Sequence, residues 1–130
     1  MQEIIKFLGD SRIFYLATSD GSQPHVRPMG FVMEYNGKLC FCTGNPKDMY
    51  KQMKANPKVE FCAVVGTDTL RITGSVEFIT TPEAKRKALD AMPELKNLYS
   101  VDDGVFEIFA LSEGIAVFVT MQGEKKAVKI

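Results

Sequence analysis

The sequence has no tryptophan, one histidine, three cysteines and no excess of charge of either sign. Its 16 Lys and Arg residues balance 16 Asp and Glu residues, which argues against broad electrostatic binding to nucleic acid or to an anionic membrane. No apolar run approaches the roughly 20 residues that a membrane-spanning helix needs. With 130 residues, of which 45% are hydrophobic, the chain is predicted to form a single globular domain over residues 1–130.

The cysteines and the first ten residues favour a cytoplasmic protein. Cys40, Cys42 and Cys62 are an odd number and lie in apolar runs, which predicts buried, reduced thiols. There is no second cysteine pair at zinc spacing, and His25 is the one histidine, so no metal site is predicted. The start, MQEIIKFLGD, carries Glu3 and lacks the basic region and apolar core of a signal peptide.

Hydrophobic periodicity and turn residues predict six or seven strands and about three short helices. Asn36-Gly37 is a strong hairpin signal, and Asn45 and Pro46 are predicted to cap and begin a helix that ends at Asn56-Pro57. The polar tail after Gly123 is predicted to be poorly held. Strands are predicted at residues 12–18, 25–35, 38–43, 59–65, 69–80, 105–111 and 115–121, with a closing hairpin around 112–114. The other helices are predicted at residues 2–9 and 82–92. Since turns rather than helical crossovers join most strands, the sheet should be mostly antiparallel, open or closed into a barrel.

One strand and the helix that follows it carry cations suited to a phosphate. Arg27 lies in a strand with His25 and Met29 on the same face. An arginine in an apolar strand must form a pair, reach solvent or bind an anion. The helix after Asn45 carries three lysines: Lys47, Lys51 and Lys54. A phosphate at that helix would meet backbone N–H groups and a lysine, and Arg27 could supply bidentate contacts.

Simpler interpretations of these residues remain open. Arg27 could be an ion-paired surface residue, and three lysines on one helix could be a solvated face. No nucleophile elbow, P-loop or dinucleotide-binding motif is present. His25 is a candidate catalytic residue, as a general acid or a cofactor contact, against the plainer interpretation of a partly buried strand histidine beside a proline.

The order of several short motifs resembles a known family. A strand with Arg27-Pro28 follows a D-G turn, and a later strand ends F-C-T at residues 41–43. A helix with Lys51 comes next, followed by N-P-K-V at 56–59 and R-I-T-G-S-V at 71–76. Together these motifs resemble the pyridoxamine 5′-phosphate oxidase-like flavoproteins, most closely their small nitroimidazole-reductase-like and general-stress members. The resemblance covers roughly residues 2–121.

The resemblance implies a Greek-key split β-barrel that forms a homodimer, with FMN in clefts between the subunits. Arg27 and Lys51 would contact the FMN phosphate. Tyr50 stands where the oxidases carry a second cation, and Lys47 could compensate. The cofactor-binding positions implied in this way are Arg27, Pro28, Met29, Cys42, Thr43, Lys47, Tyr50, Lys51 and Arg71.

The function implied by the resemblance is an FMN-dependent oxidoreductase. The flavin would pass hydride from NAD(P)H to a small electrophile such as a nitro compound or quinone, with His25 as a candidate for orienting the substrate. The alternatives are a non-catalytic flavin-binding or sensing module, a protein that binds a deazaflavin, and a ligand-free structural dimer. Pyridoxamine phosphate oxidase activity is a further alternative. The absence of tryptophan argues against it, because the oxidases hold that substrate with a C-terminal segment containing tryptophan and arginines.

Overall fold

A single antiparallel sheet organises the chain in a computed structural model that describes residues 1–130. Its path of neighbouring strands is β2-β1-β5-β6-β7-β4-β3, and β8 pairs with β7. The strands are β1 Phe14–Ser19, β2 Pro24–Met29, β3 Met33–Tyr35, β4 Lys38–Gly44, β5 Lys58–Val65, β6 Asp68–Phe78, β7 Phe106–Val119 and β8 Lys125–Lys129. The helices are α1 Gln2–Ser11, α2 Asp48–Ala55 and α3 Pro82–Ala91, with a 3-10 helix at Pro93–Asn97.

The sheet curls around an aromatic core. Phe41 stacks on Phe61 with ring centroids 4.3 Å apart, and Phe14 meets Phe41 at 5.9 Å. These contacts bring β1 and β4 together, although they are far apart in the strand order. The terminal strands β2 and β3 do not pair with each other, so the barrel is not closed. The predicted fold class, a mostly antiparallel split β-barrel with three short helices, is confirmed.

A β-bulge bends the two longest strands. Thr73 pairs with Ile115 and Ser75 with Ser112, so Gly74 stands opposite both Glu113 and Gly114. The predicted hairpin around residues 112–114 is therefore wrong, because β7 runs without a break from Phe106 to Val119. The residues that resembled a turn form the bulge, where Glu113 has a φ of 52°.

The structure has eight strands where six or seven were predicted, because two strands were not expected. The segment predicted as one strand at residues 25–35 is divided into β2 and β3 by a non-strand break at residues 30–32. The tail after Gly123, predicted to be poorly held, instead forms β8 beside β7. Lys126 pairs with Glu3 at 2.7 Å, and the N–H of Ile130 donates to the carbonyl of Gly114 at 2.8 Å. Both contacts join residues that are far apart in the sequence, so the pattern of neighbouring residues does not predict them.

The helices cover different parts of the sheet. Helix α1 places Ile4 and Leu8 in the barrel core, and α2 adds Met49 and Met53, as the spacing of those methionines predicts. Helix α3 lies outside the barrel, where Ala84, Ala88 and Leu89 share a second core with residues of β3, β4 and β7. No helix has the length and apolar character needed to cross a membrane.

Candidate functional site

Helix α2 begins later than predicted, and its N-terminus is uncapped. Asn45 is not the N-cap, because its side-chain Nδ2 donates to the Gly104 carbonyl at 2.8 Å and to Glu107 Oε2 at 3.0 Å. Lys47 holds the N-cap position without a side-chain cap hydrogen bond. The amides of Asp48 and Met49 donate to no backbone carbonyl. The start of α2 therefore presents free N–H groups and the positive end of the helix dipole.

Arg27 reaches from the edge strand β2 to the side of α2. Its Nη1 donates to the Leu16 carbonyl at 3.2 Å and to Thr18 Oγ1 at 2.9 Å. Its Nη2 donates to Gln52 Oε1 at 2.9 Å. A guanidinium has five N–H donors, so the Nε–H and one Nη2–H remain available. Arg27 is thus fixed to β1 and α2 while keeping donors for an anion.

The charge of Arg27 is not neutralised by an ion pair. Burial lowers the pKa of its guanidinium, while the negative charge of nearby Asp48 opposes this effect. Arginine keeps its proton under all ordinary conditions. The three groups that accept its hydrogen bonds are a carbonyl, a hydroxyl and an amide oxygen. The side chain therefore offers a full positive charge to a ligand.

Thr43 supplies an unpartnered buried hydroxyl at the end of β4. The residue is only 2% exposed, and its Oγ1 has no hydrogen-bond partner in the protein. Glu107 lies directly opposite on β7, but its carboxylate is occupied by Thr80 and Asn45. Most buried polar groups are satisfied, so the Thr43 hydroxyl is an unused donor four residues before the N-cap of α2.

Replacing Thr43 with valine should stabilise the ligand-free protein by about 1 kcal/mol, since an unsatisfied buried hydroxyl is costly and valine has a similar shape. The same change in Thr18, which is 4% exposed, should be destabilising, because the Thr18 hydroxyl makes two hydrogen bonds. Urea unfolding of the two variants without added flavin measures both effects. A loss of stability in Thr43→Val would show that its hydroxyl has a partner in solution.

The other predicted residues of α2 divide between its exposed face and one flank. Lys47 and Lys51 are exposed, one turn apart, beside the free N–H groups. Tyr50 lies on the flank away from Arg27, where its ring meets Phe78 with centroids 4.9 Å apart. Tyr50 therefore packs against β6 and is not brought together with Arg27.

The predicted residues of β2 and β4 lie on different faces. Met29 packs against the barrel core beside Arg27, whereas Pro28 is on the exposed face of this edge strand, a position suited to proline. His25 Nε2 lies 3.0 Å from Asp20 Oδ2 in the β1–β2 turn. Cys42 belongs to the second core under α3, where burial raises the pKa of its thiol to about 12. Only the backbone of Cys42 can take part in the candidate site.

Arg71 belongs to the outer face of the sheet, away from Arg27. Its Nε and Nη2 each lie 2.7 Å from Glu60 Oε2, and the residue is exposed. The strand register places Pro28, Tyr15, Cys62, Arg71 and Val117 in one row across five strands. Cys62 is exposed here rather than buried as predicted, because the alternation of β5 directs it outwards. Tyr15 is 49% exposed, so the row forms a broad and partly apolar outer face.

Two residues at the site were not predicted from the sequence. Thr18 and Gln52 both bond to Arg27 and also to each other, with Thr18 Oγ1 2.6 Å from Gln52 Oε1. The available signals were a polar residue on the inner face of β1 and a glutamine next to the buried Met53. Neither signal indicates Arg27 until the strands are placed beside α2.

The structure is a split-barrel protein in which β2 carries the hydrogen-bonded Arg27, α2 begins without a side-chain cap, and β4 carries the unpartnered Thr43 hydroxyl. The family model described as pyridoxamine 5′-phosphate oxidase matches residues 1–105. The chain belongs to this family.

Solved structures show the same fold. A NimC/NimA family protein from Clostridium acetobutylicum is 41% identical, with 100% of this chain and 92% of that chain covered and a TM-score of 0.96. A candidate 5-nitroimidazole antibiotic resistance protein from Bacteroides thetaiotaomicron is 20% identical, with coverage of 90% and 82% and a TM-score of 0.68. A pyridoxamine 5′-phosphate oxidase-related FMN-binding protein from Nostoc punctiforme is 15% identical, with coverage of 99% and 95% and a TM-score of 0.62. A comparison with curated proteins gave no match.

Proposed function

We propose that this protein binds FMN and uses it to reduce a small electrophile. The observation that carries the proposal is the unpartnered, buried Thr43 hydroxyl beside the uncapped start of α2. Arg27 adds a charged group with two free donors on the side of the same helix. Hydroxyl, amide and guanidinium donors are the groups that bind a phosphate monoester. The residues present therefore fit the phosphate end of FMN, with Lys47 and Lys51 adding positive charge.

The protein's contribution to such a reaction is binding and orientation. When bound, FMN would supply hydride transfer from NAD(P)H to an acceptor such as a nitro compound or quinone. A candidate 5-nitroimidazole antibiotic resistance protein has the same fold, and on that likeness we propose a nitro compound as the acceptor. Cys40 and Cys42 are not nucleophiles, because burial raises the pKa of their thiols to about 11 and about 12. His25 is held by Asp20 at the edge of the sheet, where it could orient a substrate but has no contact with Arg27.

The proposed assembly is a homodimer with FMN between the subunits. Its support is the outer face of the sheet, where Tyr15 and Val26 are 49% and 69% exposed. An exposed apolar surface of this kind favours burial against a partner. Pro28 and Arg71 lie on this face, so a second subunit seated there would contact both. We place this dimer in the cytoplasm, in keeping with three unpaired cysteines.

The test is a flavin titration of the purified protein followed by reduction. We expect one FMN retained per chain after desalting, a molecular mass of two chains by light scattering, and rapid bleaching of the bound flavin by NAD(P)H. Added nitro compound or quinone should then restore the flavin spectrum. Failure to retain FMN would overturn the proposal, whereas retention without bleaching would favour the non-catalytic flavin-binding module. Oxidation of pyridoxamine phosphate in the same assay would favour the oxidase alternative.

A further inference from the structure

Arg27, Thr18 and Gln52 form a closed triangle of hydrogen bonds that joins three elements of the fold. Arg27 on β2 donates to Thr18 on β1 at 2.9 Å and to Gln52 on α2 at 2.9 Å. Thr18 in turn donates to the same oxygen of Gln52 at 2.6 Å. Since Thr18 and Gln52 are 34 positions apart, the triangle exists only when β1, β2 and α2 are all in place. The position of the guanidinium therefore depends on two neighbours that sequence analysis did not assign.

The chemistry of the triangle fixes the orientation of each group. Gln52 Oε1 accepts from both Arg27 and Thr18, which determines the orientation of the amide, because an arginine can only donate. The Thr18 hydroxyl accepts from Arg27 and passes its own hydrogen to Gln52. The Gln52 amide nitrogen donates to no protein group in this arrangement. The donor and the acceptor are therefore fixed in each of the three hydrogen bonds of the triangle.

Both neighbours of Arg27 are neutral, and this distinguishes the triangle from an ordinary ion pair. A carboxylate would hold the guanidinium more strongly but would cancel the charge that attracts an anion. The Gln52 amide oxygen and the Thr18 hydroxyl fix the orientation of the guanidinium without neutralising its positive charge. The negative charge of Asp48 acts on the pKa of Arg27 through space, without a hydrogen bond between the two side chains. The arrangement suits an arginine that is held in position for a ligand.

We propose that Thr18 and Gln52 are positioning residues that hold Arg27 for the phosphate of the flavin. This inference rests on the proposed function, because it requires the ligand to carry a phosphate near Arg27. It makes the specific claim that the two residues govern discrimination between FMN and riboflavin, which lacks the phosphate. A residue that merely supports the fold would change the binding of both flavins together.

The experiment measures dissociation constants for FMN and riboflavin in the wild type, in Arg27→Ala and in four variants of Thr18 and Gln52. Thr18→Val and Gln52→Leu should each reduce the preference for FMN by about tenfold, since each loses bonds to a charged group. Thr18→Ser keeps the hydroxyl and should retain the wild-type preference. Gln52→Glu keeps an accepting oxygen but neutralises Arg27, so it should also lose the preference while the thermal midpoint is maintained. Riboflavin binding should stay within twofold throughout.

Each outcome separates this inference from the proposed function. If the wild type binds FMN no better than riboflavin, the phosphate assignment fails and this inference fails with it. If Arg27→Ala loses the preference but Thr18→Val and Gln52→Leu keep it, the proposed function stands and the positioning role is overturned. Should Gln52→Leu not fold, the Thr18→Val and Thr18→Ser pair decides the matter through the same ratio of affinities. An equal loss for both flavins would indicate a structural role and would also overturn the inference.

Discussion

Replacing Arg27 with alanine is expected to weaken FMN binding by about 1–3 kcal/mol, which corresponds to a roughly 5- to 150-fold higher dissociation constant. The guanidinium has two donors that no protein group uses, and its charge is not paired with an acid. Alanine removes both the charge and the donors. Riboflavin has no phosphate, so its affinity should remain within twofold of the wild type. Titration calorimetry or quenching of flavin fluorescence measures both constants.

The control for this variant is Arg86→Ala. Arg86 is an exposed residue of α3, a helix that packs on the outer side of β3, β4 and β7. Its removal changes the net charge by the same amount without touching α2, so FMN affinity should be unchanged. An Arg27→Ala protein that is folded and binds FMN as tightly as the wild type would show that the phosphate assignment is wrong. An equal loss in both variants would point to a general charge effect instead of a contact.

Features set by neighbouring residues could be predicted from the sequence. The Asn36-Gly37 turn joins β3 and β4, with both residues at positive φ, as a tight hairpin of this type requires. The Thr81 side chain caps α3 by accepting from the Ala84 amide at 3.1 Å. The four-residue spacing of Met49 and Met53 identified the buried side of α2. In each case the deciding interaction lies within a few positions along the chain.

Features set by distant strands could not be predicted in the same way. Asn45 has the right chemistry for an N-cap, but its side chain is hydrogen-bonded to Gly104 and Glu107 instead of to the start of α2. Gln52 gains its role only when β1 and β2 are brought beside α2. The candidate site was therefore predictable in its charged residue, Arg27, and not in the neutral residues that hold it.

The β-bulge at Gly74 is expected to be the most sensitive glycine position in the sheet. A Cβ at Gly74 would lie 2.8 Å from Leu111 Cγ and 3.0 Å from the Ser112 carbonyl oxygen. The first contact is with a core side chain and the second is with the backbone of β7, so neither can move aside freely. Gly74→Ala should therefore lower the free energy of unfolding by about 1–3 kcal/mol, the usual cost of overpacking a well-packed interior. Urea unfolding of the variant and the wild type gives this difference directly.

Gly9→Ala is the matched control, because it adds the same methyl group where there is room. Gly9 lies in α1, and an added Cβ there would meet nothing within 4 Å. Alanine is a better helix former than glycine by about 1 kcal/mol, so this variant should be more stable than the wild type. The two substitutions are thus expected to change stability in opposite directions. If Gly74→Ala were as stable as the wild type, β6 and β7 would have to lie farther apart at the bulge than these contacts indicate.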